Sequence, residues 1–502
     1  MVKKLFISLS LIALSYAQQQ TDIPWPTLAN TDWPMIKHDP QFTGRSPNKG
    51  PQTPTVVLTK DMEYGIFSGP VIGVEGNLYF GSYYVYADNF YSYTSDGDFN
   101  WQYETGTGRA TQSGILIDSN NTIYFGSRDS CLYALNPNGT FKWKYKTSAP
   151  IFQEVFLNID LLGNVYVTNS NGKLYSIKPN GTLNWSVSYE NGFGSGSPVF
   201  SPDGNTIYIA GRDSNLFALN LDGSIKWKFS CGEIMRAPMV DSDGNIYASA
   251  STYLFAINPS GNLIWDYYLF GRPSAVPTID IKGNIYTIAR DTVCCPYYLK
   301  LISLDYYGHL RWEYIFDEEE VDDFTQPLIC DSEGTVYLGS SFGYNYYAIS
   351  SDGKLKWKLP LVEQQQQVDN TGAISKDGTL FLGVHDISLL SGQQKTFIAI
   401  RDTGTVYVNE RNTDTQNYFL TQNYPNPFNP TTKINFTLQE RGFVKLKVYD
   451  ILGMQVASLV DEEKSQGSYS VSFNGNSLPS GVYVYSLQVN DFLQNLKMIL
   501  LK

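Results

Sequence analysis

The sequence predicts an all-β chain in which four-stranded antiparallel sheets repeat radially and a smaller β domain follows. Three observations carry that expectation. Tyr (37), Phe (27) and Trp (9) make up 15% of the 502 residues, charged residues only 17%, and Gly contributes 42, a mixture that suits strands and tight turns. The segments SDGDFNW, PNGTFKW, PNGTLNW, LDGSIKW, PSGNLIW, YYGHLRW and SDGKLKW each set a Gly four residues before a Trp, at Trp101, Trp143, Trp185, Trp227, Trp265, Trp312 and Trp357. Their separations are 42, 42, 42, 38, 47 and 45 residues, and an eighth copy, DTGTVYV, sets Val408 in the Trp place. Five residues ahead of each glycine stands a small residue: Ser92, Ala134, Ser176, Ala218, Ala256, Ser303, Ala348 and Ala399.

Each repeat reads as four short strands. An aromatic in an apolar run precedes every small residue, at Tyr79, Tyr124, Tyr166, Tyr208, Tyr247, Tyr286, Tyr337 and Phe381. In the fourth copy the strands are SPVFS, NTIYIAG, NLFALN and SIKWKF, joined by DG and RDS turns with the chemistry of tight hairpins. One meander cannot bury both its faces, so units of this length stack as the blades of a β-propeller. The count predicts an eight-bladed propeller of four-stranded antiparallel blades over residues 54–410, with a small β-sandwich after it. The small residue is expected to let adjacent sheets approach and the Trp to cover the gap, which makes the tryptophans structural. PTVVLTKD, whose Val57 lies 44 residues ahead of Trp101, looks like an orphan fourth strand. Thr55–Lys60 is therefore expected to complete the last blade, whose own fourth strand, TVYVNE, is degenerate.

The termini carry targeting information. MVKKLFISLSLIALSYA has a basic start at Lys3 and Lys4, an apolar run from Leu5 to Leu14 and a small-x-small end at Ala17, so residues 1–17 read as a secretory signal peptide. No Cys lies near the cleavage point, which argues against a lipid anchor, and no later segment has the 18 apolar residues that a spanning helix needs. The net charge of −12 argues against nucleic acid as a partner. Residues 18–53 form an N-terminal lead-in, and residues 411–422 a polar linker. From 423 to 502 the strands TTKINFTL, FVKLKVYDILG, QVASLV, SYSVSF, GVYVYSLQV and NLKMILLK predict the sandwich.

With these motifs in view, two resemblances can be named. CLYALNPNGTFKW and its sister repeats resemble the pyrroloquinoline-quinone-like β-propeller family, and WPMIKHDPQFTGRSPNKGP (Trp33 to Pro51) resembles the segment that precedes the first blade there. This resemblance implies the fold and says little of function. NYPNPFNPTT, VYDILGMQVASLV, LPSGVYVYSL and the terminal KMILLK are similar to the type A C-terminal sorting domain of the type IX secretion system. Its motif falls on Tyr424, Pro425, Asn426, Pro427, Phe428, Gly453, Gly481 and Tyr483. That resemblance implies the type IX secretion machinery as partner and an extracellular or outer-membrane-surface location on a Gram-negative bacterium.

Chemistry has no visible carrier in the sequence. The propeller family invites pyrroloquinoline quinone and Ca²⁺, and Cys294-Cys295 is the kind of adjacent pair on which a quinone stacks, but it falls in the sixth repeat, whereas in quinoprotein dehydrogenases it sits early in the propeller. The family's calcium ligands are not found in order, so no cofactor is expected. Cys131, Cys231 and Cys330 complete an odd set of five at irregular spacing, and none of His38, His309 and His385 stands beside a Cys, which leaves no zinc site. Asp317–Asp323 holds six carboxylates without the order of a calcium loop and reads as a solvated acidic rim; Asp241–Asn245 reads as a hairpin. Arg128-Asp129, Arg212-Asp213 and Arg290-Asp291 recur in second-to-third-strand turns, where each Arg is expected to pair with an Asp; a ligand-binding ring of arginines is the alternative.

The resulting expectation is a secreted, non-enzymatic binding module for protein or polysaccharide. A propeller enzyme acting on polysaccharide is the second reading and a quinoprotein dehydrogenase the third.

Overall fold

The computed structural model describes residues 18–501, except 63–64, 67–68, 84–88, 106–112, 153–154, 190–191, 194–195, 233–236, 291–298, 317–326, 340–344, 362–365, 368–370, 384, 387–394, 403–417, 421–422, 424, 439–440, 451–453 and 490–491. The signal peptide, the TVYVNE copy with Val408, Asp291, the Cys294-Cys295 pair, the acidic run, Tyr424 and Gly453 lie outside the described residues. Two compact units result, Met1–Gly404 and Thr405–Lys502.

The first unit is all-β. Its described residues form eight sheets, each built on an antiparallel path of four strands, with an extra short strand in two of them, and a separate two-stranded pair, Gln366–Gln367 with His385–Asp386. Val199–Phe200, Ile207–Ala210, Asn215–Leu219 and Ile225–Ser230 make up one such sheet. The expected strands are present, although the first has shrunk to two residues. Second and third strands such as Ile123–Gly126 and Cys131–Leu135 are buried along their whole length, whereas fourth strands such as Phe141–Lys146 alternate between exposed and half-buried. Continuous burial explains why IYFG and CLYAL read as unbroken apolar runs, for a strand covered on both faces has no polar side to show.

The small residue serves a different purpose from the expected one. Ala134 stands opposite Tyr124 on one side and Trp143 on the other, so the three share one face of a single sheet. Its missing bulk lets the Tyr and Trp rings meet above it, and the seven Tyr–Trp pairs have centroids 5.6–5.9 Å apart. The gap lies within the sheet and is filled there. Contact between sheets comes from the far side of the indole. Trp143 Nε1 donates to Pro179 O at 2.9 Å, and a Cβ on Gly181 would fall 2.7 Å from the Trp143 ring. Equivalent bonds run from Trp101, Trp185, Trp227, Trp265 and Trp312 to the next sheet's turn at 2.7–3.1 Å.

The last sheet joins both ends of the unit. Pro54–Met62 pairs antiparallel with Lys395–Asp402, which in turn pairs with Leu380–Gly383. A bulge after Val56 puts Leu58, one residue beyond the expected Val57, opposite Ala399 in the Trp position. Leu58 meets the turn of the first sheet, where a Cβ on Gly97 would lie 3.0 Å from its Cδ2.

The second unit has a three-stranded sheet, Tyr418–Leu420, Thr431–Leu438 and Gly467–Asn474, and a four-stranded one ordered Gln455–Lys464, Gly442–Tyr449, Gly481–Val489, Phe492–Leu500. Apolar residues of both, among them Ile434, Phe436, Leu446 and Leu487, form one core cluster.

Gly181 has φ +84°, a left-handed conformation that a side chain resists, besides its contact with Trp143. Gly181→Ala should therefore destabilise the protein by about 1–3 kcal/mol, measured by denaturant unfolding. An unchanged midpoint would show that this contact does not couple the sheets.

Candidate functional site

The first strands are too short to satisfy themselves. Ile72, Ile117, Phe200, Val240, Ile279 and Cys330 each close a first strand with a backbone N–H that finds no partner in its own sheet, and the lead-in supplies the acceptors. Those donors bond in order to the carbonyls of Trp33, Pro34, Pro40, Gln41, Thr43 and Gly44, at 2.8–3.4 Å. One stretch of the lead-in thus visits the first, second, fourth, fifth, sixth and seventh sheets in chain order. The third sheet is reached through Trp25 Nε1 on Ile159 O, at 2.9 Å, and the last through Lys376 N on Asp32 Oδ2, at 2.7 Å. Trp33, Met35 and Phe42 are wholly buried by this path.

Tight turning strains the segment. Lys37, His38 and Phe42 all have positive φ, at 67°, 71° and 55°. The charged side chains inside it are anchored. Lys37 is 0% exposed and its Nζ donates to Pro277 O at 2.7 Å and Leu328 O at 2.8 Å. Burial pushes its amine down from 10.5 to about 7, against the pull of Cys330 and Asp39. Asp39 accepts from Gln41 N, Thr43 N and the Thr43 hydroxyl. Burial alone would raise it, but the proximity of His38 and the hydrogen bonds from Thr43 together outweigh that effect and hold it below the usual carboxylate range. Arg45, 4% exposed, donates through Nε and Nη2 to Asp22 Oδ1 and through Nη2 to Thr21 O.

Between this segment and the second and fifth sheets lies a cavity of about 470 Å³. Its walls combine Trp25 and four prolines with Asp22, Asn30, Asp39, Gln41, Arg45 and Asp241. The wall carboxylates are already bonded. Asp241 Oδ1 takes the N–H groups of Asp243 and Asn245, and Oδ2 takes the Tyr247 hydroxyl at 2.9 Å, as expected of a hairpin. The same clamp recurs at Asp118, Asp160, Asp280 and Asp331, each accepting a second-strand Tyr hydroxyl. Three side-chain nitrogens of lining residues, His38 Nδ1, Gln41 Nε2 and Arg45 Nη1, are sealed from solvent without a hydrogen-bond partner.

The other sequence-derived candidates are dispersed. Arg128 lies over the Phe152 ring, 5.0 Å from its centroid, and Arg212 Nη2 donates to Ser170 O, at 2.8 Å, in the neighbouring repeat. Asp129 instead accepts from Cys131 N and the Tyr133 hydroxyl, so at Arg128 and Arg212 the expected local Arg–Asp pairing gives way to stacking and carbonyl capture, while Asp291, the expected partner of Arg290, lies outside the described residues. Cys131, Cys231 and Cys330 are buried free thiols, the last two pushed up to about 12, chiefly by burial. His309 is exposed beside Asp305, far in sequence from the lead-in.

In the second unit the sorting-motif residues grip the final strand. Phe428 is buried, with its N–H on Ile499 O and its carbonyl taking Leu501 N–H, both at 2.9 Å. Asn426 Oδ1 accepts from Ile499 N at 2.8 Å. The Asn426-Pro427 bond is cis, and Asn423 Nδ2 bonds to Pro425 O at 3.0 Å. The Tyr483 hydroxyl closes onto Pro479 O at 2.8 Å, while Gly481 has open space where a Cβ would stand.

Comparison with known proteins agrees with both units. Residues 170–406 match the family described as outer membrane protein assembly factor BamB, and residues 422–501 match the secretion system C-terminal sorting domain. No curated protein matches the chain. Among solved structures, it is similar to the crystal structure of BamB from Moraxella catarrhalis, at 14% identity over 69% of this chain and 97% of that one, with a TM-score of 0.51. At that identity the likeness speaks for the fold alone.

Lys37 generates a pH signature. Unfolded, its amine keeps its proton up to about pH 10.5, so above about pH 7 the unfolded chain holds the extra proton and Lys37's contribution to stability rises with pH. The Tm of the wild type should therefore gain on that of Lys37→Met between about pH 6 and pH 9. A difference that stays flat across that window would contradict a buried amine titrating near neutrality.

Proposed function

The chain joins a BamB-like repeat domain with the propeller fold to a type IX secretion C-terminal sorting domain, which makes it a secreted, cell-surface protein, and from that premise we propose that it is a non-enzymatic binding module displayed outside the cell. The architecture in this reading is an eight-bladed propeller over 54–410, sealed by the lead-in 18–53 and followed by a linker, 411–422, and a C-terminal sandwich, 423–502, with 1–17 as signal peptide. Its support is the pairing of Pro54–Met62 with Lys395–Asp402 and the order in which the lead-in carbonyls meet the sheets. In this architecture the seven repeat tryptophans and Leu58 stand at the eight blade junctions.

One observation carries the binding role. The cavity is lined by Trp25 and four prolines beside polar side chains, while its carboxylates at Asp39 and Asp241 are committed to holding turns. A carboxylate saturated with backbone N–H bonds is a poor general base, since its lone pairs are already engaged. A partly apolar recess with polar walls suits capture of a ligand. The sorting domain addresses the module to the type IX machinery, with Phe428 and Asn426 shaping the terminal strand for that purpose.

Fractionation and binding test the two halves of this reading. Removing 423–502 should leave a folded propeller that crosses the inner membrane and accumulates in the periplasm, whereas the full chain reaches the surface or medium. The purified full chain should bind a glycan or a defined envelope protein without turning it over. Normal surface delivery of the truncated chain would refute the sorting role, and turnover of a glycan would refute the non-enzymatic one.

A further inference from the structure

We propose that the last strand of the fifth sheet, Leu263–Tyr268, is a docking edge for a protein partner, which adds to it an extended segment with two apolar residues flanking a basic one at alternate places. The inference rests on the binding-module reading and commits the partner to a polypeptide, because only a polypeptide can continue a ladder of backbone hydrogen bonds.

The edge is open. The fifth sheet runs Met239–Val240, Ile246–Ala250, Tyr253–Ile257, Leu263–Tyr268, and among the described strands the last of these pairs with Tyr253–Ile257 alone. Alternate N–H and C=O groups along its other side therefore meet no strand, which is the condition for strand addition. Every sheet with a repeat tryptophan ends in such a strand, so an open edge by itself singles out none of them. The side chains do. The residue before the tryptophan is polar in six repeats, Asn100, Lys142, Asn184, Lys226, Arg311 and Lys356, whereas in the fifth it is Ile264. Charged side chains along an edge discourage pairing, and this edge keeps only Asp266. Ile264, Asp266 and Tyr268 alternate along one face of the strand, with Ile264 49% and Tyr268 40% exposed, while Trp265 turns the other way and bonds to the Tyr306 carbonyl. Phe270, also exposed, extends the apolar end, its ring 4.6 Å from that of Tyr268.

Asp266 sets the chemistry of the partner. It is exposed, and among the described residues no hydrogen-bonding side chain or cation engages it. A strand laid along this edge places three of its residues opposite Ile264, Asp266 and Tyr268, so two apolar side chains with a Lys or Arg between them complete all three cross-strand pairs. The net charge of −12 favours a basic segment as well. A second copy of the chain fits less well. The antiparallel register that faces Ile264 with Tyr268 would set Asp266 against the copy's own Asp266, and like charges directly opposite destabilise a strand pair.

The test follows the fluorescence anisotropy of a labelled peptide, Thr-Ile-Thr-Lys-Thr-Ile-Thr, titrated with the purified full chain; its palindromic order serves either strand direction. This probe should bind, and the peptide with Glu in place of Lys should bind about fivefold more weakly. Asp266→Lys should reverse that preference. Ile264→Lys, which gives the fifth sheet the residue that the second and fourth already carry, should weaken the Lys probe about tenfold and leave the Tm unchanged. Two further probes, N-methylated at the Thr amides or at the Ile and Lys amides, read the ladder itself, and one of them should fail to bind. Absence of probe binding, equal binding of the Lys and Glu probes, binding by both methylated probes, or binding that survives Ile264→Lys overturns the proposal. Dimerisation in sedimentation that Ile264→Lys abolishes also overturns it, by assigning the edge to a second copy. Capture of a glycan or an envelope protein that Ile264→Lys leaves unaffected refutes this inference and spares the binding-module reading, whereas turnover of a glycan while the probe still binds refutes the non-enzymatic reading and leaves the edge standing.

Discussion

Everything in the first unit depends on the indole that leaves its own sheet. Each repeat tryptophan packs over a small residue against a tyrosine of its own sheet, yet in the first six the N–H finds its acceptor on the next sheet's turn, beside a glycine that leaves room for the ring. A single sheet would leave that N–H and much of the ring in water. Six of these rings are half-buried, so each junction combines a partly covered indole with one hydrogen bond, and the same small contribution is repeated around the unit. No sheet is complete without its successor.

That dependence makes the ends of the chain decisive. The seventh tryptophan, Trp357, donates to Pro51 O, at 2.8 Å, at the end of the lead-in. The following strand, Pro54–Met62, brings Leu58 to the last junction. A leucine offers no N–H to satisfy, which suits a strand drawn from the other end of the chain. The lead-in pays for its left-handed residues at Lys37, His38 and Phe42 with backbone bonds to six first strands, and the same constrained path leaves the recess at Gln41 and Arg45.

Much of this was legible in the sequence because repetition multiplies weak signals. A Gly four residues before a Trp means little once; repeated seven times, it predicts both the number of strands and the spacing of the sheets. The orphan strand was legible for the same reason, although its register missed by one residue, since the bulge after Val56 has no sequence mark. The small third-strand residue was found but its purpose was misplaced, because spacing along a chain does not say whether two residues meet across a strand pair or across two sheets. The cavity was not legible. Its walls come from a segment with no period, turned by three residues in a conformation that only glycine signals openly. The Asp–Tyr clamp could have been found: Asp118, Asp160, Asp241, Asp280 and Asp331 each stand six residues before their tyrosine.

The central claim is that the unit is closed on itself by its own N-terminal strand and held at its centre by the lead-in. Hydrogen exchange of the intact protein reads this directly, because backbone amides in a closed ring open only with global unfolding, whereas those of an appended terminus open freely. The account predicts that amides of Pro54–Met62 bonded to Lys395–Asp402, and those of Ile72, Ile117, Phe200, Val240 and Cys330 bonded to the lead-in, exchange as slowly as the second and third strands. Exchange of Pro54–Met62 within seconds, with the other sheets protected, would contradict it.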